Sequence, residues 1–231
     1  MLHMNNVRFI LLIASLTLVV VFAFSCSLDN ANYCSGGEVI AKGEFTDSRD
    51  GQKYRYVTIG SQTWMADNLN YNAAGSKCGS KTGTPVVSGG YCDIYGRLYD
   101  YETALENVCP AGWHLPDNAE WDELFRYVVN GTSDAADSSY YATAGKYLKA
   151  ACGWNEKGNG TDDFGFAALP GGFGNYRGAG FYDYAGKYGH WWSATEHNVY
   201  IYYFGIGSGN GILGGEFIYS DFLFSIRCVH D

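Results

Sequence analysis

The chain has 231 residues and a net charge of -9, with 17% aromatic and 17% charged residues, 20 Tyr, 31 Gly and only 4 Pro. This length suits one domain with extras, or at most two small domains. The acidic balance argues against nucleic-acid binding, which needs a basic surface, and a Tyr- and Gly-rich, charge-poor composition argues for a compact, loop-rich extracellular chain over a disordered one.

Residues 1–25 read as a leader. Arg8 follows a short polar start, and Phe9 to Phe24 is a nearly unbroken apolar run, shorter than the roughly 20 residues of a comfortable membrane span. The run ends at Ala23-Phe24-Ser25-Cys26, which resembles a bacterial lipoprotein box, with Phe24 bulkier than the usual residue. The resemblance implies lipidation of Cys26, palmitate included, and a membrane hold through that anchor only. The alternative is an ordinary cleaved signal with Cys26 a bystander. Residues 26–44 read as a tether, polar from Ser27 to Asn32. Cys34, Cys78, Cys92, Cys109, Cys152 and Cys228 remain, an even set that in an exported chain implies disulfides. No Cys-x-x-Cys pair suggests zinc. The pairing pattern stays open at this point.

From Tyr54 the pattern turns to strands. Tyr54, Tyr56 and Thr58, then Thr63-Trp64-Met65, flank Gly60-Ser61, which suits a two-residue hairpin turn. Trp64 to Leu69 then leads into the core. Residues 70–92 form a Gly/Ser/Thr-rich loop bracketed by Cys78 and Cys92, which a local disulfide would restrain. Tyr95 to Leu105 switches from a tight turn to helix. Cys109-Pro110-Ala111-Gly112-Trp113-His114-Leu115-Pro116 follows, a turn aimed into a helix. Asp117 and Glu120 have capping-box spacing; Trp121, Leu124, Phe125 and Val128 fall at i, i+3, i+4 and i+7. Gly131 fits a left-handed cap. Ala142 to Ala151 reads as a second helix and Phe164 to Gly172 as a buried strand ending at a Pro-Gly break. Residues 171–189 read as irregular. Strands are expected near 191–194, 199–205 and 222–229. Strands, two helices, then strands again make an α+β domain.

The ordered landmarks are Asp47-Ser48-Arg49-Asp50-Gly51-Gln52-Lys53-Tyr54, Ile59 to Tyr71, Tyr95-Gly96-Arg97-Leu98-Tyr99, Cys109 to Pro116, Phe164 to Gly172, Trp191 to Glu196 and Ser225-Ile226-Arg227-Cys228-Val229. Together they closely resemble the Fibrobacter succinogenes major paralogous domain, a bacterial surface-protein family, across residues 45–231. The resemblance implies a C-type-lectin-like α+β domain: two helices, short antiparallel sheets, pairing of the terminal strands and long ligand-presenting loops. It also implies a Cys109–Cys228 bridge. Cys34 and Cys152 remain for a third bridge, or stay free. The resemblance supplies no activity, and fold alone does not fix function.

Enzyme readings lack their parts. The sulfatase-modifying branch of the same superfamily needs a close pair of C-terminal thiols, and Cys228 has no neighbouring Cys. His114 could be a base, but it reads as a hydrogen-bonded core histidine in a structural turn. His190, His197 and Glu196 have no accompanying nucleophile motif. Asp162-Asp163 and Asp134 with Asp137 suit turns and caps. The Glu-Pro-Asn and Trp-Asn-Asp motifs of calcium-dependent lectins are absent, so no metal or cofactor is expected. The suggestive region is 173–221, rich in Tyr, Phe, Gly, Ser and Asn, the composition of adaptable binding loops. Its candidates are Tyr176, Arg177, Tyr182, Trp192, Glu196, Asn198, Tyr200, Tyr202 and Tyr219. Strand alternation puts about half of its aromatics in the core. The expectation is a non-enzymatic lipoprotein, exported to the outer membrane or cell surface, that binds an extracellular glycan. Its main rival is a surface protein as partner, or a structural role.

Overall fold

The computed structural model describes residues 41–79, 90–106, 108–131, 140–175, 184–198, 200–209, 211–218 and 221–231. In order these carry β1 (Ala41–Thr46), β2 (Lys53–Ile59), β3 (Gln62–Met65), β4 (Ser76–Lys77), α1 (Tyr91–Tyr95), β5 (Leu98–Tyr99), α2 (Tyr101–Leu105), β6 (Trp113–His114), α3 (Asn118–Asn130) and α4 (Tyr140–Leu148). There follow β7 (Gly174–Asn175), β8 (Tyr188–His197), β9 (Tyr200–Gly207), β10 (Ile212–Ile218), β11 (Phe222–Leu223) and β12 (Val229–His230). The architecture is mixed helix and antiparallel sheet. No helix among the described residues is long and apolar enough to cross a membrane.

The hairpin expected at Gly60-Ser61 is β2–β3, closed by Ile59 opposite Gln62. Gly60 sits at φ 64, a left-handed conformation that costs glycine little. The last strand does not lie at an edge. In the main sheet the order is β1-β2-β3-β12-β6, so β12 is zipped between the first hairpin and the strand leading into α3. Val229 pairs with both Trp64 and His114. Cys109 is bonded to Cys228 beside it and Cys78 to Cys92. Cys152 is disulfide-bonded as well.

Helix α3 starts as its capping box dictates. Glu120 N–H donates to Asp117 Oδ1 at 2.9 Å, and Asp117 N–H to Glu120 Oε2 at 2.9 Å. Its buried face is Trp121, Leu124, Phe125, Val128 and Val129. Gly131 is not the left-handed cap expected: its φ is -80 and its N–H bonds Tyr127 O, so the final turn closes as ordinary helix.

The second sheet, β10-β9-β8, separates two apolar clusters. Successive side chains of a strand face opposite ways. Trp191 accordingly packs with Trp64, Trp121, Phe166 and Phe204, whereas Trp192 packs with Met65, Leu69, Tyr99 and Phe224. Beside the first cluster Asn68 forms a buried polar junction. Its Oδ1 accepts from Trp191 Nε1 at 2.9 Å and from Arg227 Nη2 at 3.0 Å, and its Nδ2 donates to Tyr95 O at 2.8 Å. Arg227 is fully buried, lies 4.2 Å over the Phe166 ring and donates to the carbonyls of Phe166 and Ala167. Burial pushes its pKa down to about 9, against the pull of Asp67 and Asp162.

Several sequence-based expectations change. Residues 165–172 are buried but form no strand, because Gly165, Ala167 and Gly172 all take positive φ and break any ladder. The strand expected near 222–229 is two short ones. Between them the chain changes partners, Phe224 bridging Tyr99 and Ser225 bridging Trp191. Strand β10 and helix α1 were not expected, and β1 begins at Ala41, inside the segment read as tether.

Candidate functional site

On β8, period-two spacing puts Tyr188, His190 and Trp192 on one face. Across from them β9 contributes Tyr203, paired with Trp192, and Gly205, paired with His190. A Cβ on Gly205 would lie 2.7 Å from the His190 ring, so only glycine leaves the imidazole its place. The short β7–β11 ladder, Phe222 opposite Asn175, brings Phe173 and Phe222 over the same face.

The result is a graded row of rings. At its base are Trp192, Phe224 and Tyr203, all buried, with Phe224 4.3 Å from Trp192 and 4.7 Å from Tyr203. In the middle His190 lies 5.0 Å from Phe173, stacked, and 5.0 Å from Phe224, edge-on. At the rim Tyr184 stacks on Phe173 at 5.0 Å, and Tyr188 meets Tyr184 edge-on at 5.6 Å. Tyr184 is 41% exposed; Phe173, Tyr188 and Phe222 are half-buried. Burial pushes the His190 pKa down to about 3, so the ring is neutral and behaves as one more aromatic. Its Nδ1 is buried with no hydrogen-bond partner.

The residues expected to bind are distributed otherwise. Trp192 is a correction: it is fully buried and donates through Nε1 to Tyr99 O at 2.7 Å. A ring closed off from solvent on every side supports the row but cannot touch a ligand. Tyr200 and Tyr202 share the opposite face of β9 with Phe204, so strand alternation separates them from the Tyr188–His190–Trp192 row. Glu196 and Asn198 sit exposed at the β8–β9 hairpin, Asn198 at φ 59. Burial, then the charge of Glu196 and a hydrogen bond to it, push the Tyr101 hydroxyl pKa up. Tyr176, Arg177, Tyr182, Tyr219, Asp134, Asp137, Cys26 and Cys34 lie outside the described residues.

The motif residues beside the site are spent on structure. Ser193 Oγ donates to Asn118 Oδ1 at 2.7 Å, Asn118 N–H to Thr195 Oγ1 at 2.9 Å, and Ala194 N–H to Pro116 O at 2.8 Å. Together they hold the start of α3. His114 is not a core histidine: its side chain is 41% exposed, and its two nitrogens meet Asp231 Oδ1 at 2.7 Å and Glu120 Oε1 at 2.8 Å. Asp162 is buried on the loop after α4, its Oδ1 accepting from Ala167 N–H at 2.7 Å. Among the described residues, no group of three or more His, Cys, Asp and Glu is placed to hold a metal ion. What the rim offers is ring faces, the chemistry of stacking. The alternation Tyr188-x-His190-x-Trp192 was the available signal for this row; nothing in the sequence points to Phe222 joining it.

A family model, the Fibrobacter succinogenes major domain, matches residues 57–230, well over half of the chain. No curated protein and no solved structure matches it.

Proposed function

The chain belongs to the Fibrobacter succinogenes major domain family, and from that premise we propose that it is a surface binding module that takes an extracellular polysaccharide on the aromatic rim of Phe173, Tyr184, Tyr188 and Phe222. The observation that carries this reading is the rim itself. Four aromatics are left partly open to solvent on a base of buried rings, where stacking fixes their orientation before any ligand arrives. Rings ordered in advance lose little entropy on binding, and flat apolar faces suit the C–H faces of sugars. The mechanism is recognition without catalysis. The C-type-lectin-like fold belongs to this reading, supported by α3 and α4, the antiparallel sheets and the bridge from Cys109 to the last strand. So does lipidation at Cys26, which would hold the domain at the cell envelope.

The test is retention of the folded, oxidised protein on insoluble cellulose, xylan and chitin. Tyr184→Ala should reduce retention on the recognised glycan by roughly two- to tenfold, since one stacked ring contributes about 0.5–1.5 kcal/mol. Tyr127→Ala removes another exposed tyrosine, on α3, and should leave retention unchanged. Equal loss in both variants, or no retention of the parent protein on any of the three, overturns the reading and turns attention to a protein ligand.

A further inference from the structure

A cavity of about 470 Å³ opens beside β4 and is lined by Asn72, Ala73, Ala74, Ser76, Lys77 and Arg97. Arg97 is only 7% exposed. Its Nε donates to Ser76 Oγ at 2.7 Å, its Nη2 to Ser76 O at 3.4 Å, and its Nη1 faces Cys78 Sγ at 3.5 Å and Cys92 Sγ at 3.7 Å. Every one of these acceptors is neutral. Among the described residues the ion pairs engage Asp47, Glu44, Asp67, Glu120, Asp231 and Asp122, and none reaches Arg97 or Lys77.

A buried guanidinium without an anion is unusual, because removing the charge from water is costly unless a counter-charge replaces it. Here the hydroxyl, the carbonyl and the disulfide pin the planar fork without neutralising it. The lining supplies a second cation at Lys77, an amide at Asn72 and two small apolar side chains at Ala73 and Ala74. A pinned arginine with an open cavity before it matches the flat two-oxygen geometry of a carboxylate, or the oxygens of a sulfate ester.

We infer that this cavity is an oxyanion subsite for an acidic sugar, a uronate or a sulfated residue, with Arg97 and Lys77 as its charge contacts. The inference rests on the glycan reading for what carries the anion. Leu98, next to Arg97, packs on Leu223, next to Phe222 of the aromatic rim.

Isothermal titration of the folded protein with trigalacturonate, its methyl ester, and a sulfated galactose oligosaccharide beside its desulfated form tests the assignment. One of the two acidic probes should bind at least roughly tenfold more tightly than its neutral counterpart, which also tells carboxylate from sulfate, and the binding should weaken as salt rises. Lys77→Gln, a half-buried position, should weaken binding about threefold. Arg97→Gln should abolish the preference for the acid; if that variant does not fold by near-ultraviolet circular dichroism, Lys77→Gln decides. Acidic and neutral probes binding alike, or binding indifferent to Lys77→Gln, overturns the subsite. Retention on a neutral glycan together with that result would leave the aromatic rim standing and remove only the subsite. Acid-selective titration without retention on any neutral glycan would do the reverse.

Discussion

Asn68 shows how much one side chain can hold. Its single amide serves Trp191 and Arg227 at the carbonyl oxygen, and Tyr95 O, with Ser225 Oγ at 3.4 Å, at the nitrogen. Asn68→Ala would leave a buried indole N–H and part of a buried guanidinium without acceptors. Each such orphan costs about 1–3 kcal/mol, so urea denaturation should show a loss of roughly 3 kcal/mol or more. His114 is the pH-sensitive counterpart. Burial works against its charge, but hydrogen bonds to Asp231 and Glu120 outweigh it and raise the pKa above the ordinary 6.5. A folded pKa above the unfolded one means stability that is fully present below the unfolded value and lost as pH rises through the folded one. The destabilisation caused by His114→Gln should therefore be largest near pH 5.5 and shrink toward pH 9, read by urea titration at both. The ring sits partly in solvent, so the whole effect is modest.

Among the elements, α3 and β12 differ in what fixes them. Helix α3 is local: a capping box, an apolar stripe and a stop, all within a short stretch of chain. Strand β12 is two residues long and is held by what flanks it, β3 on one side, β6 on the other and the bridge from Cys228 to Cys109. That bridge closes 119 residues, and the Cys78–Cys92 bridge only 14. Chain entropy then predicts a loss of about 4–5 kcal/mol for the Cys109→Ala/Cys228→Ala pair and about 3 kcal/mol for Cys78→Ala/Cys92→Ala, before strain. Guanidinium unfolding of the two double variants should preserve that order. The reverse order would mean that native-state packing around Cys78 and Cys92, against which Arg97 lies, matters more than the loop length.

For the molecule as a whole, the sequence by itself determined the elements whose instructions are local. The Gly60-Ser61 hairpin, the Asp117–Glu120 start of α3 and its buried stripe follow from turn chemistry and periodicity, and the ordered landmarks carried the family. Landmarks such as Trp64 to Leu69, Phe164 to Gly172 and Ser225 to Val229 read as motifs in the chain, yet their common purpose is one buried junction around Asn68 and Arg227. Only the tertiary structure decided what depends on faces and on distant pairing. Composition found the aromatic region, but alternation along β8 and β9 sent Trp192 inward and Tyr202 to the far face, while Phe173, Tyr184 and Tyr188 were gathered at the rim with Phe222. Arg97 gave no sign in sequence of a charged cavity, because an arginine in a turn ordinarily reaches solvent, and only the packing of β4, β5 and the Cys78–Cys92 bridge encloses it. The physical reason is the same throughout: a cap or turn is settled within a few bonds, whereas burial and approach are settled by neighbours far along the chain.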